Sequence, residues 1–136
     1  MSSLFEILPN LYISTNLPSN INGNIISVNN QMESINEYKV LNINVNINNL
    51  LIKSKNAELN IDFEFINNFI IESYKNKTNT IIISDNLIIP VIICINFIMK
   101  SLNCSLIESL YYVCKKTNIN YKIIPPNILY KLFYLQ

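Results

Sequence analysis

The sequence predicts an α/β domain in which a small sheet is flanked by helices. Three observations lead there. Short runs rich in Ile and Val occupy the first half of the chain, and apolar residues at spacings of three and four occupy the second. Between them, Thr80-Ile-Ile-Ile-Ser84 has no polar alternation, the pattern of a strand buried on both faces. Soon after it comes a segment that is apolar nearly all round, as a helix through a core must be.

Taken in order, Leu11-Tyr-Ile-Ser14 reads as a short strand behind a Pro9-Asn10 turn, and Asn24 to Val28 as a second. Tyr38 to Val45 reads as a third, with alternation at Leu41, Ile43 and Val45. Residues 46–61 are rich in Asn and carry no clear period. Phe63, Ile66, Phe69, Ile70 and Tyr74 form one apolar stripe on a helix over residues 62–76. Pro90 suits the first turn of the next helix, where its missing N–H costs nothing, and that helix runs to about Leu102. Ser105-Leu-Ile-Glu108 is a capping box that opens a helix through Cys114, with Lys115 and Lys116 at its negative end. Pro125-Pro-Asn127 starts a last helix, Ile128 to about Leu135. No linker or repeat divides the chain, so residues 1–136 are assigned to one domain.

Composition excludes much chemistry. The chain has no His, no Arg and no Trp, and its only Gly is Gly23. Without His there is no imidazole base and no His-ligated metal; with one Gly there is no phosphate-cradling glycine loop. Ile occurs 27 times and Asn 25 times, usage expected of an AT-rich genome that pushes the core toward Ile and the surface toward Asn. The net charge is +1 with scattered Lys, so no nucleic-acid partner is expected. The longest apolar stretch, Leu87 to Met99, spans 13 residues and contains Pro90 and Asn96, short of the roughly 20 a membrane span needs. No signal peptide is evident, and an intracellular location is expected, in cytoplasm, nucleus or virion. Cys94, Cys104 and Cys114 match no metal-ligand spacing; they read as reduced, packed thiols, and neither metal nor cofactor is expected.

The order of these pieces resembles the compact dual-specificity phosphatases, a cysteine-dependent family. Ile7-Leu-Pro-Asn-Leu-Tyr-Ile-Ser14 is similar to the family's opening I-x-P-x-L-Y-L-G. Ile25 to Asn29 and Tyr38 to Val45 resemble its next two strands, and Phe63 to Ile70 the helix F-x-E-A-I-D-F-I. Val91 to Lys100, Ser105 to Val113 and Pro126-Asn127 resemble the three later segments in the family's order. The resemblance implies a central mixed sheet of four to five strands flanked by helices, with a buried helix after the phosphate loop. A large DNA virus with an AT-rich genome is one natural source of such a chain.

The family carries H-C-x-x-G-x-x-R-S in that loop. A low-pKa thiolate attacks phosphorus, while backbone N–H groups and a bidentate Arg hold the oxygens. Here the corresponding residues are Ser84, Asp85, Asn86, Leu87, Ile88, Ile89 and Pro90, a loop about two residues shorter. Asp85 falls near the nucleophile position, within a residue or two. The region that should supply the general acid, Asn46, Ile47, Asn48 and Asn49, contains no Asp. Loss of a preorganised oxyanion clamp alone costs about 10²–10³ in rate. A carboxylate about 4 Å from a phosphate repels it by about 4 kcal/mol at an effective dielectric near 20. No catalytic residue and no phosphate binding are therefore expected. Asp85 and Asn86 should close a turn or bond loop amides, Cys94 should be packed, and Ile88 and Ile89 should fill the former pocket, the alternative being an apolar patch for a partner. Tyr111, Tyr112, Tyr130 and Tyr134 read as half-buried helix residues.

These expectations describe an inactive phosphatase-like domain that works by binding a protein partner or by self-association. Two other readings stand beside it: an active phosphatase or altered hydrolase with a non-standard site, and a homo-oligomeric structural protein.

Overall fold

The computed structural model describes residues 4–34, 37–46 and 60–135. Five strands, β1 (Leu4–Leu8), β2 (Leu11–Ser14), β3 (Asn24–Val28), β4 (Val40–Ile43) and β5 (Thr80–Ile83), form one sheet in the order β1-β2-β5-β3-β4. β1 runs antiparallel to β2; the other pairings are parallel, so the sheet is mixed. Helix α1 (Phe63–Lys75) precedes β5, and α2 (Ile88–Ser101), α3 (Leu106–Thr117) and α4 (Pro126–Tyr134) follow it, with a single 3₁₀ turn at Tyr121–Ile123.

β5 sits in the middle and every residue of it is buried, as its unbroken β-branched run requires. Ile82 faces the helices, with Leu11, Ile13, Ile26 and Val28 from the neighbouring strands. Ile81 and Ile83 face the other way and pack with Ile25, Tyr12, Ile21, Met32 and Val40. That alternation follows from the period of two along a strand. β4, an edge strand, is only half buried along its length.

α2 is the spine of the helical layer, with eleven of its fourteen residues buried. Five of those are Ile. Their intrinsic cost in a helix is up to about 0.7 kcal/mol each, whereas burial contributes roughly 1.5–3 kcal/mol each. Packing, not propensity, makes this segment helical. α3 starts on the expected capping box: Glu108 N–H donates to Ser105 Oγ at 3.1 Å and Ser105 N–H to Glu108 Oε1 at 3.0 Å. That backbone bond from Ser105 holds the Glu108 carboxyl below its ordinary pKa. Tyr112 on α3 donates to Ile7 O at 2.6 Å, locking the helix to β1.

Two expectations need correction. β1 is absent from the sequence reading because its LFEIL pattern is too short and one-sided to stand out; pairing with β2 makes it a strand. α2 begins at Ile88, which places Pro90 in its first turn as expected, where helical geometry needs no N–H from it. Tyr111, Tyr130 and Tyr134 are exposed rather than half buried, at 60%, 62% and 67%. Their helices present the opposite side, through Leu110, Val113, Ile128 and Leu132, to the core.

Asn also does more than cover the surface. Four of the five non-glycine residues at positive φ among the described residues are Asn10, Asn29, Asn103 and Asn118. Asn tolerates the left-handed region better than most residues and here supplies the turns that Gly supplies elsewhere. Asn118 at φ 56° closes α3, its N–H donating to Cys114 O and Lys115 O. Gly23 serves a different need, close approach. A Cβ there would lie 2.4 Å from Asn79 O, the carbonyl that accepts the Asn24 N–H at 2.8 Å as β3 meets β5.

Gly23→Ala should therefore lower the unfolding free energy by about 1–3 kcal/mol, read as a lower urea midpoint at unchanged slope. Asn118→Ala should cost about 1 kcal/mol while Asn118→Gly costs nothing or stabilises; the same urea titration separates the two.

Candidate functional site

In a sheet of this kind a ligand site lies outside the carboxyl ends of the central strands, at the start of the following helix. β2, β5 and β3 present those ends side by side. Ser14 and Ser27 both stand in register with Ile83, and the Ser84 N–H donates to Ser14 O at 3.1 Å. The rim is thus made of three serines, all buried. Each turns its hydroxyl into its own loop: Ser14 Oγ donates to the Asn16 carbonyl, Ser27 Oγ to the Asn30 carbonyl, and Ser84 Oγ to the Asn86 carbonyl at 2.7 Å. The recurrence of Ser at the end of three strands, with Asn two or three residues on, is visible in the sequence but passed unnoticed there.

Ser84 to Pro90 form the connection from β5 into α2, where the family's phosphate loop stands. The Asn86 N–H points to Ser84 Oγ at 3.3 Å, and the Ile88 N–H donates to Asn86 Oδ1 at 2.8 Å. Residue 90 is a proline and offers no N–H at all. The Val91 N–H donates to Leu87 O at 3.0 Å and begins the helical ladder. Two amides at this helix start, those of Asn86 and Ile88, are thus engaged by the loop's own side chains. Asn86 bonds the loop amide as its residue type suggests, while Asp85 projects exposed beside it. Ile89 is fully buried in the core, and Leu87 and Ile88 are half buried against it, so hydrocarbon fills the floor of the loop.

The loop after β4 is pinned to the same rim. Asn29 clasps Val45 twice, accepting its N–H at 2.7 Å and donating Nδ2 to its carbonyl at 2.9 Å. Asn46, next along, is exposed; Ile47, Asn48 and Asn49 lie outside the described residues.

All three cysteines are free. Cys94 lies in the second turn of α2, fully buried, and burial pushes its thiol far above the ordinary range. Burial also raises the Cys114 thiol. Cys104, between α2 and α3, is half buried. A thiol whose pKa is raised is a poor nucleophile at neutral pH, because the thiolate is the reactive form.

The same arrangement of strands and helices recurs in solved structures. A leucine-rich repeat and phosphatase domain containing protein from Entamoeba histolytica matches at TM-score 0.71 and 21% identity, covering 98% of this chain and 90% of that one. The human tyrosine phosphatase-like serine/threonine/tyrosine-interacting protein matches at 0.70 and 17%, covering 95% and 92%. This is the fold of the dual-specificity and tyrosine phosphatases. The phosphatase DUSP15 shares it at TM-score 0.68 and 17% identity, over 96% of this chain and 85% of its own. No family model matches the sequence, and no curated protein matches it either. Among the described residues, no helix is long and apolar enough to cross a membrane.

Iodoacetamide at neutral pH should modify Cys104 in the folded protein and spare Cys94 until the chain is unfolded in guanidinium. Peptide mass mapping of the two states reads the difference; prompt native labelling of Cys94 would refute its burial.

Proposed function

We infer that this chain is a phosphatase-fold protein without phosphatase activity, and that it acts by binding a protein partner. The observation that carries the reading is the loop from Ser84 to Pro90. Its own side chains engage the Asn86 and Ile88 amides, and an exposed Asp85 puts a negative charge beside them, which disfavours an anion there. The rest of the equipment is missing from the sequence: Arg is absent, and the first Cys is Cys94, inside the buried helix. Phosphoryl transfer in this fold needs a thiolate, a charged clamp and a proton donor. Removing the first two leaves no covalent route and no grip on the substrate. A partner is the remaining use for a fold kept intact around such a loop. One structural neighbour carries that combination in its name, phosphatase-like and serine/threonine/tyrosine-interacting.

Turnover of para-nitrophenyl phosphate tests the inactive half of this reading. Wild type and Asp85→Ala should both release nitrophenol no faster than buffer alone. Turnover in wild type that Asp85→Ala abolishes would sink it, because Asp85 would then be working on substrate.

A further inference from the structure

Twenty-five residues of this chain are Asn, and only Asn22 is followed by Gly. The pairing matters because an asparagine can be attacked by its own chain. The main-chain nitrogen of the next residue closes on the side-chain Cγ, and a side chain on that residue obstructs the approach. Every other Asn is followed by such a side chain, Ile more often than any other. Asn22 and Gly23 lie just ahead of β3, outside any strand or helix. Asn22 is exposed, and its carboxamide makes no hydrogen bond among the described residues; nor does the Gly23 N–H. Two bonds to Asn79 hold the segment. Asn79 Nδ2 donates to Asn22 O at 3.0 Å, and Asn79 O accepts the Asn24 N–H at 2.8 Å. The first grips the carbonyl that must swing when the Gly23 nitrogen turns toward Cγ, because the planar peptide unit moves as one.

We propose that Asn22 is a site of spontaneous covalent modification, its carboxamide becoming aspartate or isoaspartate, and that Asn79 sets the pace by holding the Asn22 carbonyl. The Gly23 nitrogen loses its proton to hydroxide and bonds to Asn22 Cγ. The Cγ–Nδ2 bond breaks, and the departing nitrogen takes a proton from water to leave as ammonia, regenerating hydroxide. Water then opens the cyclic imide at either carbonyl. Opening at Cγ gives aspartate; opening at the main-chain carbonyl gives isoaspartate, whose main chain runs through Cβ and is one carbon longer. Water is the only co-reactant, and nothing is oxidised or reduced. Either product takes the net charge from +1 to zero. The extra main-chain carbon of isoaspartate falls beside Gly23, where a Cβ would already lie 2.4 Å from Asn79 O. The entry to β3 has no room to absorb it and must loosen. This chemistry is independent of the phosphatase loop and of any partner.

The test ages purified protein at physiological temperature, at neutral and at mildly alkaline pH. Acid digestion follows, with peptide mass mapping and enzymatic methylation of isoaspartate. Asn22 should convert ahead of every other Asn, with isoaspartate in its peptide, and faster at the higher pH because the attacking nitrogen must lose a proton. Asn79→Ala removes the grip on Asn22 O and keeps the main-chain bond to Asn24. It should convert about fivefold faster, the factor that one hydrogen bond corresponds to. Ile128→Val weakens the core elsewhere and should convert at the wild-type rate. In guanidinium, where the grip is gone, wild type and Asn79→Ala should convert alike. The isolated isoaspartate form should unfold at lower urea than Asn22→Asp, whose main chain keeps its length. Conversion led by another Asn, a rate indifferent to pH, or equal rates for folded wild type and Asn79→Ala would overturn the proposal. So would equal acceleration by Ile128→Val, which would make global unfolding the cause.

Discussion

The passage from β5 into α2 sets the terms for the rest of this molecule. Every residue of β5 and eleven of the fourteen in α2 are buried in the middle of the protein. The first amides of such a helix carry partial positive charge and must find partners. In a phosphatase loop an anion fills that role transiently, with charged side chains around it. Here Ser84 takes the Asn86 N–H and Asn86 the Ile88 N–H, residue 90 is a proline with no N–H to place, and Ile89 is buried in the core. The core that holds β5 and α2 is built from their own apolar residues and those of the elements around them.

The second constraint is the near absence of glycine. Turns and helix ends require positive φ, and a chain with one Gly must meet that need otherwise. Asn does so at four positions, and its carboxamide also clasps backbone groups in place of regular pairing, as Asn29 does to Val45 and Asn42 to Met32. A compositional bias toward Asn has thus been absorbed into structure. The same residue type supplies two of the four buried side-chain polar atoms without a partner among the described residues, between α1 and α2, where two carboxamides meet and make one bond.

Much of the fold was legible in the residues themselves. Periodicity marked β4 and α1, an unbroken β-branched run marked β5, Pro90 and Pro125-Pro126 marked the starts of α2 and α4, and Ser105 with Glu108 marked the start of α3, because those signals depend on neighbours only a few residues away. β1 was not legible: LFEIL has too little pattern of its own, and its identity comes from the Leu4–Ser14 and Phe5–Ile13 pairings across the hairpin. The exposure of Tyr111, Tyr130 and Tyr134 was misjudged for a related reason. A helix's apolar stripe can be read from spacing, but how far the core reaches around its flank depends on what packs beside it.

At the candidate site the division is sharper. Sequence alone determined which groups are missing: no Arg anywhere, no Cys before residue 94, and Asp85 beside the end of the buried strand. Absence needs no geometry. Only the tertiary structure decided what the remaining groups do, since Ser14, Ser27 and Ser84 lie 13 and 57 residues apart along the chain and share a rim solely because β2, β5 and β3 are adjacent in the sheet. The Asn67–Asn96 pair is of the same kind, two ordinary surface-type residues 29 positions apart whose meaning arises when α1 packs on α2 and seals them from water. Hydrogen bonding and burial are properties of neighbours in space, and a one-dimensional order of residues carries them only when space and sequence run together.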